Sequence, residues 1–141
     1  MFLPYEYKTG EPIPWEYKEC SAITNLHVGT ALTLSGGKLA KATGTTQPTY
    51  ISMREGTTAE GDVIPVIKID EGTRFMTTFA AAATGIQAGD RVTIHTDGEQ
   101  VTATKTSGVA CISEMRGTAS GSEVIVYFPS AAAPAAAGDN N

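Results

Sequence analysis

The chain contains an internal repeat, because the stretch from Val28 to Ile69 recurs about sixty residues later. The first copy opens with residues 29–34, followed by a predicted turn at residues 36–37. The second copy opens with residues 89–94, followed by a predicted turn at residues 97–98. Further matches follow in the same order: Ile51-Ser52 with Ile112-Ser113, Gly56 with Gly117, Gly61 with Gly121, and Val63-Ile64 with Val124-Ile125. Chance is the alternative, since Gly, Thr and Val are common here, but the shared order favours a true repeat. Two copies are too few for a solenoid, so we predict one β domain with a pseudo-twofold relation between its halves.

Composition agrees with a single all-β domain and excludes several functions. The chain has 141 residues, 15 glycines and 18% charged residues, which suits short strands joined by tight turns. The net charge is −5 and no run of Lys or Arg occurs, so a nucleic-acid partner is not expected. Cys20 and Cys111 lie far apart in sequence, which favours two free, largely buried thiols in a reducing compartment, while a bridge between them stays open.

Residues 1–20 differ from the rest because they combine aromatic residues with prolines. Pro4, Pro12 and Pro14 exclude a helix interior, so we predict an extended N-terminal arm. Its aromatic side chains must be buried either against the chain's own core or against a partner, for which Tyr and Trp are favoured anchors. The candidate contact residues of the arm are Phe2, Tyr5, Tyr7, Trp15 and Tyr17.

Hydrophobic alternation and turn residues predict many short strands in a domain spanning residues 21–129. We expect strands over 22–28, 31–34, 39–42, 49–53, 63–69, 74–79, 91–95, 100–104, 109–113 and 123–128. Pro65 would place its strand at an edge or a bulge. Residues 130–141 form an Ala-rich, low-complexity tail without large side chains, which predicts disorder. Neither a secretory signal nor an apolar run of about 20 residues occurs, so we expect synthesis in a cytoplasm and no membrane partner.

Residues that could carry chemistry are few and scattered. His27 and His95 are the two histidines, and neither has a neighbour at metal-ligand spacing. The Gly-rich turns lack the strand–loop–helix context of a phosphate site, and the acidic residues lie where turns are predicted. We therefore expect no catalytic residues, no metal and no cofactor, and a protein that is not an enzyme.

Several short motifs follow one another along the chain: Gly29-Thr30-Ala31-Leu32-Thr33-Leu34, Gly36-Gly37-Lys38-Leu39, Ala42-Thr43-Gly44, Pro48 through Ser52, Ala88-Gly89-Asp90-Arg91-Val92 and Gly108-Val109-Ala110. Together they resemble the motifs of capsid decoration, or cement, proteins of tailed bacteriophages. The resemblance covers about residues 21–128.

The resemblance implies a compact β-barrel or β-tulip that binds the outer surface of the phage head as a homotrimer and clamps neighbouring major capsid subunits. It also implies a virion protein that is made in the host cytoplasm, and it brings no catalytic residues. The alternative is a receptor- or carbohydrate-binding β module of a phage fibre or tail. The sparse aromatic residues of the β core argue against sugar stacking.

Overall fold

The computed structural model describes residues 1–130, which form an all-β structure as predicted. No helix in this part of the chain could span a membrane. The strands are β1 (Leu3–Glu6), β2 (Glu16–Glu19), β3 (Ala31–Ser35), β4 (Lys38–Lys41), β5 (Tyr50–Ser52), β6 (Val63–Lys68), β7 (Arg74–Thr78), β8 (Arg91–Val92), β9 (Ala110–Met115) and β10 (Glu123–Tyr127). Disorder is predicted for residues 130–141, of which 131–141 lie outside the described part.

The strands form two five-stranded antiparallel sheets that pack as a compact sandwich. Sheet one has the order β2-β6-β5-β3-β4, and sheet two has the order β1-β7-β10-β9-β8. An isolated antiparallel bridge between Gly44 and Ile94 connects the two. The pairing does not close the sheets into the single barrel that the family resemblance implies.

The internal repeat is confirmed by the backbone hydrogen bonds. Gly29 N–H donates to the Ser52 carbonyl at 2.8 Å, and Gly89 N–H donates to the Ile112 carbonyl at the same distance. The structure therefore aligns Ser52 with Ile112 and not with Ser113, because the register of β9 and β10 shifts next to Ile112. Cys20 N–H likewise donates to Asp62 at 2.8 Å, and its counterpart Phe79 donates to Ser122 at 3.1 Å. The strand order β2-β6-β5-β3 of the first repeat therefore recurs as β7-β10-β9-β8 in the second.

Each repeat curls back on itself, because the residue that follows its first strand pairs with a residue on the far side of the same repeat. A parallel bridge joins Cys20, just after β2, to Leu39 in β4, and an equivalent bridge joins Phe79, just after β7, to Val101. The curl of sheet one encloses a small core: Cys20, Ile23, Leu26, Leu32, Leu39, Tyr50, Ile64 and Val66. A larger core lies in the second repeat and reaches the back of sheet one through Ala31, Ala42, Ile51 and Ile67.

The first twenty residues are built into both sheets. β1 pairs antiparallel with β7, so that Leu3 lies opposite Met76. β2 pairs antiparallel with β6, so that Tyr17 lies opposite Pro65. Repeat one therefore begins at β2, inside the segment that the sequence separates as an arm, and β1 is an additional strand that precedes it.

Two strand predictions were wrong. Residues 22–28 form a loop, because Asn25 has a φ of 55° and Ile23 N–H donates to the Thr58 hydroxyl instead of to a neighbouring strand. This loop covers the small core with Ile23 and Leu26. Residues 100–104 contribute isolated bridges at Val101 in place of a strand.

Pro65 lies in an inner strand and not at the predicted edge. β6 runs between β2 and β5. The Pro65 carbonyl accepts from Met53 N–H at 2.9 Å, and Met53 lies one residue beyond the end of β5. Proline has no N–H to donate, and at this position the neighbouring strand β5 has already ended, so no ladder bond is lost.

Candidate partner-binding surface

The structure divides the five predicted contact residues between the core and the surface. Phe2 is completely buried, and its ring meets Phe128 edge-on with centroids 5.3 Å apart. Tyr7 is half-buried, whereas Tyr5, Trp15 and Tyr17 are exposed. The chain's own core thus accounts for Phe2, and we remove it from the candidate contacts.

The exposed aromatic side chains near β2 belong to a mainly apolar surface, bordered by Glu19, that we call the β2–β6 face: Trp15, Tyr17, Val63 and Pro65. Tyr17 is 66% exposed and lies opposite Pro65, while Val63 is 60% exposed and lies opposite Glu19. Residues directly opposite each other in an antiparallel pair share a face, as do alternate residues along one strand. Trp15, 56% exposed, comes two residues before Tyr17, so we place it on the same face.

The opposite side of β2 is charged and fixed by local contacts. The Lys18 ammonium lies 5.7 Å from the centroid of the buried Tyr50 ring and 3.6 Å from the Glu16 carboxylate. This geometry permits a cation–π contact in addition to the exposed ion pair. The alternation along β2 therefore places Tyr17 and Glu19 on one side, and Glu16 and Lys18 on the other.

An ion-pair cluster lies at the end of β2. Lys38 Nζ lies 2.6 Å from Glu60 Oε2 and 3.6 Å from Glu19 Oε2. The hydrogen bond to Glu60 raises the pKa of Lys38, and the same bond lowers the pKa of Glu60. All three side chains are exposed, so we expect the cluster to contribute specificity more than stability.

Tyr5 is held by a contact on the second sheet. Arg116 donates to the Tyr5 hydroxyl at 3.1 Å, and the guanidinium carbon lies 5.5 Å from the ring centroid. The hydrogen bond to Tyr5 is the main cause that raises the pKa of Arg116. Tyr5 is therefore pre-positioned by its own chain, unlike Tyr17.

His27 lies beside two carboxylates of the described chain. His27 is 3.1 Å from Glu55 and 3.8 Å from Glu99, and no group of three metal-ligating side chains occurs in the described chain. Glu55 also accepts from Val28 N–H at 2.6 Å, and this bond is the main cause that lowers its pKa. These contacts hold His27 and Val28 of the first repeat close to Glu99 of the second repeat.

Both cysteines are buried and free, as the sequence analysis favoured. The pKa of Tyr127 is raised by a hydrogen bond to Cys111.

Two shallow clefts occur on the described surface. The first, about 310 Å³, lies where β10 ends and is lined by residues that include Pro48, Ile69 and Phe128. The second, about 250 Å³, lies beside β1 and is lined by Met1, Leu3, Met76 and neighbouring polar residues. The first cleft is also lined by Lys68, Asp70 and Glu71, and the second by Glu123.

Sequence reasoning missed Val63 and Pro65 as surface residues. Val63 opens a strand whose other residues are mostly buried, so its composition indicated core. The signal that could have identified its exposure is its position immediately after the polar loop 54–62, at the outer end of the strand.

Comparison with known proteins gives a structural match. No family model matches the chain, and no curated protein matches it. The chain is similar in structure to one titled "The crystal structure of head fiber gp8.5 N base in bacteriophage phi29", with a TM-score of 0.55 and 17% sequence identity. The match covers 82% of this chain and 95% of that one, so the two share a fold.

Proposed function

We propose that this protein is a non-enzymatic structural component of a phage virion that attaches to the outer surface of the head. It acts as a decoration protein that contacts neighbouring major capsid subunits and stabilises the shell. The observation that supports this most strongly is the similarity of its fold to the base of a phage head fiber over most of both chains.

The β2–β6 face supports an attachment role. Exposed Trp and Tyr side chains are favoured as interface anchors because they bury a large area with few rotatable bonds. Trp15, Tyr17 and Val63 are each more than half exposed in the isolated chain. Burying such side chains against a shell would stabilise the complex, and repetition of the contact over the lattice would add avidity.

The negative net charge supports attachment at the outer surface of the shell. The net charge of −5 disfavours contact with packaged nucleic acid, which carries dense negative charge. A protein that binds the assembled shell but not its dissociated subunits raises the shell's apparent stability by mass action.

A co-sedimentation experiment tests this function. Undecorated shells of the phage that encodes the chain are mixed with the wild-type protein or with the double variant Trp15→Ser/Tyr17→Ser. We expect the wild type to pellet with the shells and the double variant to lose about 10-fold or more in affinity. Leu3→Ser is the matched control, because Leu3 is 43% exposed and lies in β1 of sheet two, opposite Met76.

Heating the same shells supplies the functional measurement. Saturating protein should raise the temperature at which shells release DNA to a fluorescent dye. If the protein neither pellets with the shells nor changes this temperature, the decoration function is wrong. The receptor-binding alternative for a fibre or tail would then take its place.

A further inference from the structure

The two repeats differ in what pairs with the outer edge of their equivalent strands, β2 and β7. In the second repeat β7 pairs with β10 on one side and with β1 on the other. In the first repeat β2 pairs with β6, and no described strand extends along the free edge of β2 beside Tyr17. The repeat places Tyr17, which is opposite Pro65, at the position of Met76, which is opposite Ile125.

Hydrogen-bond direction shows which backbone groups are available on this edge. Along an antiparallel strand, the N–H and C=O groups of successive residues point alternately to the two neighbours. Cys20 N–H donates toward the β6 side, to Asp62, so Lys18 shares that direction and Tyr17 points the other way. Pro65, opposite Tyr17, directs its carbonyl to Met53 instead. The Tyr17 N–H and C=O therefore face the open edge.

We propose that the free edge of β2 accepts an extended strand from a subunit of the phage shell, which runs antiparallel to β2 and covers Trp15 and Tyr17. This inference rests on the proposed function and names the contact through which it operates. Strand addition satisfies exposed backbone groups and seats alternate side chains on one face.

The template for this contact is β1. It adds antiparallel to β7, places the apolar Leu3 opposite Met76, and contributes Glu6, whose carboxylate lies 3.2 Å from Arg74. By equivalence, the incoming strand carries an apolar residue opposite Tyr17. Its alternate side chains extend the β2–β6 face, where the large side chains of Trp15 and Tyr17 favour apolar neighbours.

A second copy of the chain fits this edge poorly. The Cys20–Leu39 bridge places β4 beside the end of β2, so two β2 strands paired around Tyr17 would bring β4 of one copy against Trp15 of the other. β1 is already paired with β7, and its other edge is blunted by Pro4 and by a register shift between Pro4 and Glu6. A strand from a different protein avoids both obstacles.

Hydrogen exchange measured by mass spectrometry tests the proposal on wild-type protein, free and bound to undecorated shells. In the free protein, the Met76 amide should exchange more slowly than the Tyr17 amide, because β1 protects the former. Binding to shells should slow exchange at Trp15 and Tyr17 at least ~10-fold, as expected for newly formed ladder bonds.

Two substitutions separate strand addition from side-chain contact. Tyr17→Ala removes the side chain, whereas Tyr17→Pro also removes the edge N–H while leaving the β2–β6 bonds in place. We expect Tyr17→Ala to weaken shell binding about 10-fold and Tyr17→Pro to weaken it by a further ~5-fold. Circular dichroism of both variants checks that the fold is retained, and the exchange measurement stands if Tyr17→Pro does not fold.

The outcomes are distinguishable from failure of the function itself. Shell binding without protection at Trp15 and Tyr17 overturns the strand contact but leaves the decoration function standing. Absence of shell binding overturns both. A light-scattering mass of two or more chains that reverts to one chain in Tyr17→Pro would assign the edge to a second copy and overturn the present partner. The homotrimer implied by the family resemblance would have to use a different contact.

Discussion

The first and second repeats share their backbone hydrogen bonds but not the side chains that fill them. Cys20 in the first repeat is replaced by Phe79 in the second, and Ile23 by Ala83, yet all four are buried. The bridging residue also changes, from Leu39 to Val101. The same backbone pattern is thus compatible with two arrangements of large and small core side chains, as long as each core is close-packed.

Truncating the two equivalent core side chains, Phe79 and Cys20, should give the largest difference in stability between the repeats. Phe79→Ala leaves a large cavity in the bigger core and should lower the free energy of unfolding by about 3–5 kcal/mol. Cys20→Ala removes a single sulfur atom at the same place in the first repeat and should cost much less. Urea denaturation of both variants measures the difference. Equal losses would show that the two positions are not equivalent in packing.

Two equivalent glycines give the next largest effect. Gly29 and Gly89 have φ of 96° and 95°, so a side chain strains the backbone equally at both, by about 1–2 kcal/mol. A Cβ at Gly29 would also lie 2.8 Å from Met1 Cβ and 3.0 Å from Phe2 N, whereas a Cβ at Gly89 meets open space. Gly29→Ala should therefore be clearly less stable than Gly89→Ala in thermal unfolding. A larger loss for Gly89→Ala would contradict the placement of the N-terminus.

A smaller and pH-dependent difference in stability is expected from Glu55, in a loop of the first repeat. Glu55 has a lowered pKa in the folded chain, chiefly because it accepts from Val28 N–H, and the second repeat has Arg116 at the equivalent position, next to the matching Gly117. The contribution of its charge to stability is present above the ordinary pKa of 4.5 and is lost as pH falls through the lowered value. Glu55→Gln should be slightly less stable than wild type at pH 7, and this difference should vanish on acidification. Glu11→Gln, in the exposed segment before β2, is the control, and a pH-independent difference would refute the linkage.

Removal of residues 131–141 should have the smallest effect. The second repeat closes with β10 and the buried Phe128, and the remaining sequence has no large apolar side chain to pack. We expect the melting temperature of the truncated chain to stay within about 1 °C of wild type, since surface changes have small effects. A drop of several degrees would show that the tail packs on the domain.

The sequence predicts the fold well where local patterning and tertiary pairing agree. Matched glycines and turns identify the repeat because each marks a backbone geometry that both copies need. The pattern failed at residues 22–28, where alternation indicates a strand but the buried Ile23 and Leu26 belong to a covering loop. The partners of a strand are set by distant residues, so local alternation cannot distinguish these outcomes.

The candidate surface was predictable in part. Aromatic content marks residues 1–20 as a place where burial is needed, and it identifies Trp15 and Tyr17. It cannot separate them from Phe2, because burial of Phe2 depends on Phe128 at the other end of the domain. The free edge of β2 is likewise a property of the sheet order and not of any local motif.

The contact between Phe2 and Phe128 also constrains the order in which the chain can fold. Sheet one is complete once Lys68 has been synthesised, and its pairings are comparatively local. β1 must wait for β7, and Phe2 must wait for nearly the whole domain, so closing this contact carries the entropy of a long loop. We therefore expect the N-terminal strand to dock in the last kinetic phase of folding, and during synthesis its aromatic residues stay open to chaperones and to proteases.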